Sequence, residues 1–362
     1  GMTRAHIADP HIVQKIIEKR EVDIRPCVGA TYCLDRIYNS GEALCIHNAA
    51  TGRELAMPHV VNFSNKIKKV VVIGAGPGGL EAARVASERG HAVIVLEAAD
   101  QPGGQIRLTA QSPRRREMIS IVDWRMQQCE KRGVSFQFNT YAEMSDVVAL
   151  EPQVVVVATG GIPNMELFET KGELKNVSSA WDLISGDVKP AEHILIYDES
   201  GDHPGLQAAE IAANAGCKVE IMTPDRTVSP EIMAMNLVPY MRALQNKDVT
   251  FTVARRLLNL SQNGNKLRAE IGTDYSSLKT FLEYDQVILN YGTLPVDELY
   301  FQLKPFSRNE GAVDYEALIL GKSQKLNKNT DGKFQLFRIG DAVSARNTHA
   351  AIYDALRFMK DI

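Results

Sequence analysis

Three glycines and one glutamate in the first half of the sequence have the types and spacing of a dinucleotide-binding site. Gly74, Gly76 and Gly79 form a GxGxxG motif that follows an apolar run and precedes a stretch with helical spacing. The first glycine allows a tight turn, the second lets the backbone approach a pyrophosphate, and the third lets helix and sheet pack closely. Glu97 ends the next apolar run, where a carboxylate accepts hydrogen bonds from ribose hydroxyls and repels a 2′-phosphate. The sequence therefore predicts nucleotide binding.

Two strands and one helix must hold these residues in place. Residues 70–73 are apolar and β-branched, as expected for a parallel strand that is buried on both faces. Residues 92–96 form a second such run, and residues 80–89 have helical spacing. Pro77 and Gly78 lie where the helix begins, so its unpaired N–H groups and partial positive charge would face the phosphates.

Three cysteines near the N-terminus are candidates for a different chemistry. Cys27, Cys33 and Cys45 are separated by five and eleven residues in a stretch rich in glycine, asparagine and alanine. Thiolates are ligands for soft metals and iron–sulfur clusters, but three are one short of the usual set of four. Two interpretations stay open, an iron–sulfur type of site and three unpaired thiols in a packed loop.

Composition narrows the class of protein. The 362 residues predict two or three domains, with 44% apolar and 23% charged residues, an ordinary globular balance. A net charge of −3 gives no reason to expect nucleic acid or an acidic membrane as a partner. The first residues have no features of a signal or transit peptide, and the odd number of cysteines disfavours a disulfide framework. We therefore expect a cytoplasmic protein.

A second βαβ unit follows, and its glycine turn is degraded. Residues 193–200 and 218–224 are predicted strands that flank a predicted helix at 205–216. The turn between the first strand and the helix contains Asp198, Glu199 and Asp202, three acids where a pyrophosphate would have to bind. This charge disfavours a nicotinamide site. Residues 249–290 indicate short strands with an Asn-Gly turn at 263–264.

The order of these segments resembles one flavoprotein family. The residues that carry the resemblance are TRAHIADP, RPCVGATYCLDRIY, CIHNAATGRE and the glycine fingerprint. They are similar to the C-terminal half of the FMN, iron–sulfur and FAD-containing NADH:flavin oxidoreductases, which include 2,4-dienoyl-CoA reductase, trimethylamine and histamine dehydrogenases and N-methylproline demethylase-like enzymes. Members begin with a barrel carrying FMN, so the resemblance implies that this barrel is absent from the sequence.

The resemblance implies a fold, a set of domains and further cofactor contacts. The fold would be α/β, with two Rossmann-like lobes of the glutathione-reductase, FAD/NAD(P)-binding type. Residues 1–67 would be the end of the barrel plus a cysteine-rich linker, 68–190 with 292–362 a discontinuous FAD- or ADP-binding lobe, and 191–291 the NAD(P)-like lobe. The additional cofactor-binding residues implied are Gly103, Gly104, Gln105, Thr159, Gly160, Gly340 and Asp341.

One departure from the family concerns the cysteine loop. Ala30 stands where the family has its second cysteine ligand, and an alanine cannot bind iron. A cluster on Cys27, Cys33 and Cys45 would then need a fourth ligand such as water or His47, so we expect the isolated chain to hold no stable cluster.

Two functions are compatible with the resemblance. In the first, the chain binds FAD and forms the electron-transfer part of an enzyme that demethylates or dehydrogenates amines or reduces enoyl groups. In the second, it is a non-redox scaffold that holds ADP. The implied partners are the FMN-barrel portion of the same enzyme, NAD(P)H or an electron-transfer protein, and a second copy of the chain. No residue is predicted to be catalytic, so whether the chain alone is an enzyme stays open.

Overall fold

The computed structural model describes residues 1–166 and 174–362 of the chain. Its strands are β1 Lys69–Ile73, β2 Ala92–Leu96, β3 Ser135–Gln137, β4 Val154–Val157, β5 Gly161–Pro163, β6 Val177–Ser179, β7 His193–Asp198, β8 Lys218–Met222, β9 Thr250–Thr252, β10 Arg256–Asn263, β11 Lys266–Thr273, β12 Ser276–Tyr284, β13 Gln286–Asn290, β14 Thr293–Pro295 and β15 Gln335–Arg338. Its α-helices are α1 Thr3–Ala8, α2 Ile12–Ile17, α3 Tyr32–Tyr38, α4 Pro77–Glu88, α5 Gln105–Ala110, α6 Ser120–Lys131, α7 Met144–Ala149, α8 Ala180–Ser185, α9 His203–Asn214, α10 Ala234–Gln245, α11 Glu298–Leu303, α12 Tyr315–Ile319 and α13 Thr348–Met359. No helix among these residues is both long and apolar enough to cross a membrane.

The chain folds into two compact units. The first contains Gly1–Ile162 and Leu294–Ile362, and the second contains Pro163–Thr293. The boundary therefore lies earlier than the predicted residue 190. The reason is β6, which pairs in parallel with β13 and so belongs to the sheet of the second unit. The N-terminal cysteine-rich segment is part of the first unit rather than a separate body.

The first unit is built on a parallel sheet with strand order β15-β4-β1-β2-β3. Side chains of β1 alternate between two cores. Val70 and Val72 pack with apolar residues of α4, α6 and α13, whereas Val71 and Ile73 pack with residues of α7 and α11. The strand order reverses direction at β1, and in such sheets ligands bind at the carboxyl end of the strand where this reversal occurs. The glycine turn lies at that end of β1.

The second unit combines a parallel sheet, β6-β13-β7-β8-β9, with an antiparallel sheet, β10-β11-β12. Its core contains side chains from β7, β8, β10, β11 and β13. The hairpin between β10 and β11 closes with Asn263 opposite Lys266, so the loop residues are 264–265 rather than the predicted 263–264.

Residues 7–20 have the apolar spacing of one amphipathic helix, but the structure divides this part of the chain between two helices. The helix is interrupted between α1 and α2, because the helical region is disfavoured for a residue before proline and Asp9 is extended, with φ −140°. The N-cap of α2 is His11, and Oδ1 of Asp9 accepts from the backbone N–H of this N-cap residue at 3.1 Å. The other carboxylate oxygen of Asp9 pairs with Lys15 at 2.6 Å.

Candidate functional site

Two glycines of the fingerprint are required by the packing of the protein itself. Gly74 has φ +100°, and a Cβ placed there would lie 2.4 Å from the carbonyl oxygen of Ala158. A Cβ at Gly79 would lie 1.9 Å from the carbonyl oxygen of Gly74. These positions hold the turn against the end of β4 and hold α4 against the turn. Their predicted roles, a tight turn and close packing, agree with this geometry.

Gly76 is different, because the space beside it contains no protein. A Cβ at Gly76 would meet no atom within 4 Å, and the backbone there, with φ −69°, suits any residue. Gly76 is the N-cap of α4 and provides no side chain to cap the helix, and Pro77 follows at the first helical position. The first N–H groups of α4 thus face open space with the positive end of the helix dipole, which is the arrangement that binds a phosphate.

The turn at residues 103–105 lies against the glycine fingerprint. The N–H of Gly103 donates to the carbonyl of Ala75 at 2.9 Å. Gly104 has φ +49°, and its Cβ position lies 3.4 Å from the Cα of Gly76. The open space is therefore bounded on both sides by the backbone of a glycine, Gly76 on one side and Gly104 on the other.

The loop at Gly340 and Asp341 reaches the same place from the far end of the sequence. Gln105 donates from Nε2 to Oδ2 of Asp341 at 2.9 Å. Gly340 has φ +62°, a backbone conformation that favours glycine. The helix after this loop, α13, also lies close to the glycine turn, because a Cβ placed on Gly78 would be 3.3 Å from the carbonyl oxygen of Ala351. The GxGxxG turn, the 103–105 turn and the 340–341 loop thus converge, as the resemblance implied. Their backbones bound an open space beside the start of α4, where N–H groups are available to a phosphate.

The remaining predicted contacts have partners within the protein. Both carboxylate oxygens of Glu97 accept backbone N–H groups, one from Ala75 and the other from Ala99 at 2.8 Å, which fixes the carboxylate beside the turn. The hydroxyl of Thr159 donates to the carbonyl of Val296. Gly160 has φ +73°, and a Cβ there would meet no atom within 4 Å.

Arg346 follows Asp341 by five residues, a position from which an arginine side chain can extend to a bound phosphate or to solvent. Its guanidinium instead pairs with Asp354, a buried residue of α13. The same carboxylate binds Arg357 at 2.9 Å and accepts from the N–H of Gly340 at 3.3 Å. Arg346 therefore fixes the loop to α13.

The predicted metal ligands are not gathered into a site. Cys27 is exposed, Cys33 is half-buried in α3 and Cys45 is buried. Within residues 1–166 and 174–362, no group of three or more Cys, His, Asp or Glu side chains is placed to hold a metal ion. His47 is fully buried, donates from Nδ1 to the carbonyl of Pro26 at 3.0 Å and packs against Trp124. The residues present do not fit a cluster.

A buried set of charges beside the site was not predicted from the sequence. Glu81 of α4 is 2% exposed and binds Arg84 at 2.8 Å and Arg125 of α6 at 2.8 Å. Burial alone would raise the pKa of Glu81, but the two guanidinium groups outweigh it and hold the pKa well below its ordinary value. The only signal in the sequence was the spacing of Glu81 and Arg84, which places both on one face of α4.

The second unit contains the acidic turn that was predicted to exclude a pyrophosphate. Asp198, at the end of β7, is fully buried and accepts from the N–H of Gly201 at 2.9 Å and from Asn290 at 2.8 Å. A Cβ at Gly205 would lie 2.7 Å from the Asp198 carboxylate, so the carboxylate packs directly on the first turn of α9. Burial raises the pKa of Asp198 to about 7, and the charge of Asp202 adds to the effect.

Asp198→Asn should remove a pH dependence of stability. Because the folded-state pKa is raised, native Asp198 holds a proton that the unfolded chain has lost, and stability falls as the pH rises from about 4 to about 7. The loss is on the order of 4 kcal/mol for a shift of about three pH units. Gly201 and Asn290 both donate to Oδ1, which the amide retains, and the new NH2 faces the hydroxyl of Ser229. Urea unfolding from pH 4 to 7 measures it; an identical slope in wild type and variant would contradict the assignment.

The parallel sheet, the glycine turn at its switch point and the second α/β unit define a dinucleotide-binding protein of the two-lobed reductase class. A family model described as pyridine nucleotide-disulphide oxidoreductase matches residues 31–180 and 68–355. The chain belongs to this family. The predicted fold class is thereby confirmed, and membership supports flavin binding at the site.

Individual relatives are more specific than the family model. The chain is 65% identical over 362 residues to a probable N-methylproline demethylase of Rhizobium meliloti, covering all of this chain and 53% of that protein. It is 43% identical to an N,N-dimethylglycine/sarcosine dehydrogenase of Chromohalobacter salexigens, covering 54% of that protein. A solved 2-naphthoyl-CoA reductase complex superposes with a TM-score of 0.81 at 26% identity, covering 99% of this chain and 50% of that one. The predicted resemblance is confirmed, and the chain spans about half the length of the curated relatives it matches.

Proposed function

We propose that the first unit binds FAD and that the chain is the electron-transfer part of a larger oxidoreductase. The observation that carries this proposal is the convergence of three distant turns on the open space beside Gly76. The N–H groups at the start of α4 bind the pyrophosphate, and the carboxylate of Glu97 accepts from the adenosine ribose. Asp341, held by Gln105, orients the ribityl hydroxyls. When bound, the flavin supplies the electron-carrying chemistry.

The reaction of the larger enzyme is proposed from its relatives. The names of two relatives describe the removal of a methyl group or of hydrogen from N-methylated amino acids. We propose oxidation of an N-methylated amine for the larger enzyme. The substrate would be transformed in an FMN-barrel portion outside these residues, and the chain alone should turn over no such amine.

A second candidate is a scaffold that binds ADP and takes no part in electron transfer. The feature that favours it is the second unit, where the buried Asp198 occupies the turn that would have to receive the pyrophosphate of a nicotinamide nucleotide. A hydride donor bound in that unit is disfavoured. FAD and ADP share the contacts at Glu97 and the start of α4, so only the flavin end separates the two functions.

The visible spectrum of the protein after saturation with FAD and gel filtration decides between them. Retained absorption bands of oxidised flavin, in about one equivalent per chain, would support the FAD site. Binding of ADP with no retention of FAD would favour the scaffold. The matched control is Asp341→Asn, which changes only the flavin side and should weaken FAD more than ADP. Equal weakening of both ligands would contradict the role of Asp341.

The cysteine segment leads to a separate prediction. We expect the purified chain to hold no stable iron–sulfur cluster, because Ala30 supplies no thiolate. After anaerobic reconstitution, Ala30→Cys should contain more iron and sulfide than wild type, whereas Ala30→Ser, similar in size, should not. Iron and sulfide assays measure this. A wild-type content of about four irons per chain would contradict the first expectation, and equal iron in all three proteins would contradict the assignment of Ala30 to the ligand position.

A further inference from the structure

A polar cavity of about 360 Å³ lies in the first unit and shares no lining residue with the glycine site. Its walls are the segment between α1 and the cysteines, the last turns of α4 and the outer part of α6. A volume of this size is at the lower end for small-molecule sites, and it is too small for a dinucleotide.

The lining of this cavity is strongly cationic although the whole chain has a net charge of −3. It contains six permanent cations and three carboxylates, an excess of three positive charges. Adding Glu81 and Arg125, which lie behind the wall, leaves the excess unchanged, whereas Glu18, which binds Arg20 from outside the lining, reduces the excess to two. The cations are Lys15, Arg20, Arg25, Arg84, Lys131 and Arg132, and the carboxylates are Asp9, Asp23 and Glu88.

The three carboxylates are already bound to other cations. Asp9 pairs with Lys15 at 2.6 Å, Asp23 pairs with Lys131 at 2.8 Å, and Glu88 pairs with Arg84. The side chain of Arg25 makes no ion pair within residues 1–166 and 174–362; only its backbone N–H donates to Asp9, at 2.8 Å. Arg20 also binds Glu18, and Arg132 lies 3.9 Å from Glu88, so Arg25 is the lining cation that has no carboxylate partner among the described residues.

The guanidinium of Arg25 packs against an indole ring and has no carboxylate partner among the described residues. Its guanidinium carbon lies 4.3 Å from the centre of the Trp124 ring, and its Nε is buried with no hydrogen-bond partner in the part of the chain that the structure describes. Burial, together with the nearby charge of Arg84, lowers the pKa of Arg25 to about 10. A planar fork fixed by stacking matches the two oxygens of a carboxylate or phosphate.

We propose that this cavity binds a small oxyanion, a phosphate or carboxylate group, on the guanidinium of Arg25. The indole of Trp124 forms the surface behind the guanidinium, and Lys15 and Lys131 at the walls contribute attraction without direct specificity. Binding supplies a partner for the half-buried guanidinium of Arg25, whose Nε is fully buried, and offsets the cost of its desolvation. The site is independent of the proposed FAD site, because its residues are different.

Fluorescence of Trp124 provides a local measurement. The chain has two tryptophans, and the other, Trp181, lies in the second unit. In a Trp181→Phe background, inorganic phosphate and succinate are titrated separately at constant ionic strength, with thermal unfolding as a second readout. We expect a saturable change with at least one anion, and the tighter of the two identifies the preferred class. Arg25→Gln should weaken that binding by at least about tenfold.

Two controls separate this site from other anion sites. Arg116→Gln removes an arginine whose side chain is 76% exposed, and it should leave binding unchanged. Gly76→Val should also leave it unchanged, which excludes phosphate at the start of α4. If Arg25→Gln does not fold, Lys131→Gln at the 55% exposed rim replaces it, with an expected loss of about threefold. The proposal would be overturned if neither phosphate nor succinate gave a saturable change in Trp124 fluorescence. It would also be overturned if Arg25→Gln, or Lys131→Gln in its place, bound the anion as tightly as the parent protein.

Discussion

Gly76→Val should abolish nucleotide binding and leave the fold intact. The space beside Gly76 is empty of protein within 4 Å and its backbone angles suit any residue, so the apoprotein has no reason to lose stability. The valine methyl groups would instead fill the place of the pyrophosphate at the start of α4. We expect the affinity for FAD and for ADP, measured by calorimetry, to fall by at least about a hundredfold. The free energy of unfolding should change by no more than about 0.5 kcal/mol.

Gly79→Ala is the matched control for this experiment. It adds one methyl group two positions beyond Pro77, but its Cβ would lie 1.9 Å from the carbonyl oxygen of Gly74. Overpacking against backbone cannot be relieved by a rotamer, so Gly79→Ala should lose at least about 1–3 kcal/mol of stability. Wild-type affinity in Gly76→Val would refute the location of the site. An unchanged stability in Gly79→Ala would refute the division of roles among the glycines.

Local patterns were sufficient for the half of the site that is continuous in sequence. Residues 92–96 are a strand as predicted, and the run at 70–73 differs from β1 by one residue, because strands buried on both faces are uniformly apolar. Asp341 is 236 residues from Gln105 in the sequence, and no local pattern indicates the contact between them. Only the family resemblance placed them together. The three-residue strand β6 is too short to show a period, so the domain boundary was predicted too late.

The buried charged residues of the first unit could not be predicted either, and the reason is different. Helix periodicity assigns charged residues to the solvated face, and α4 has two buried charges in its core-facing surface, Glu81 and Arg84. Their partner Arg125 is fully buried on α6, more than forty residues away in sequence. Each of these three charges can be buried only because the other two are present to compensate it. The periodicity of a single sequence contains no information about such a dependence between distant residues.

The consequence is that Glu81→Gln should be among the most destabilising conservative substitutions in the chain. Glutamine has the same shape, but it removes the charge that compensates Arg84 and Arg125 and turns an NH2 group toward their N–H donors. Removing one partner of a buried ion pair costs about 3–5 kcal/mol, and urea unfolding at neutral pH should show a loss of that size. The matched control is Glu88→Gln, which also binds Arg84 but is 23% exposed. Water can solvate Arg84 when the charge of Glu88 is removed, so Glu88→Gln should lower the free energy of unfolding by no more than about 1 kcal/mol.

The pH dependence of stability is a second test of the buried charges Glu81, Arg84 and Arg125. The folded-state pKa of Glu81 is depressed, so its contribution is fully present above the unfolded pKa of about 4.3 and is lost as the pH falls through the folded pKa. The difference in stability between wild type and Glu81→Gln should therefore be constant near neutral pH and shrink in acid. The double variant Glu81→Gln with Arg125→Met should recover part of the loss, because it also removes one uncompensated guanidinium. Additive losses in the double variant would mean that Glu81 and Arg125 do not stabilise each other, in spite of the 2.8 Å contact between them.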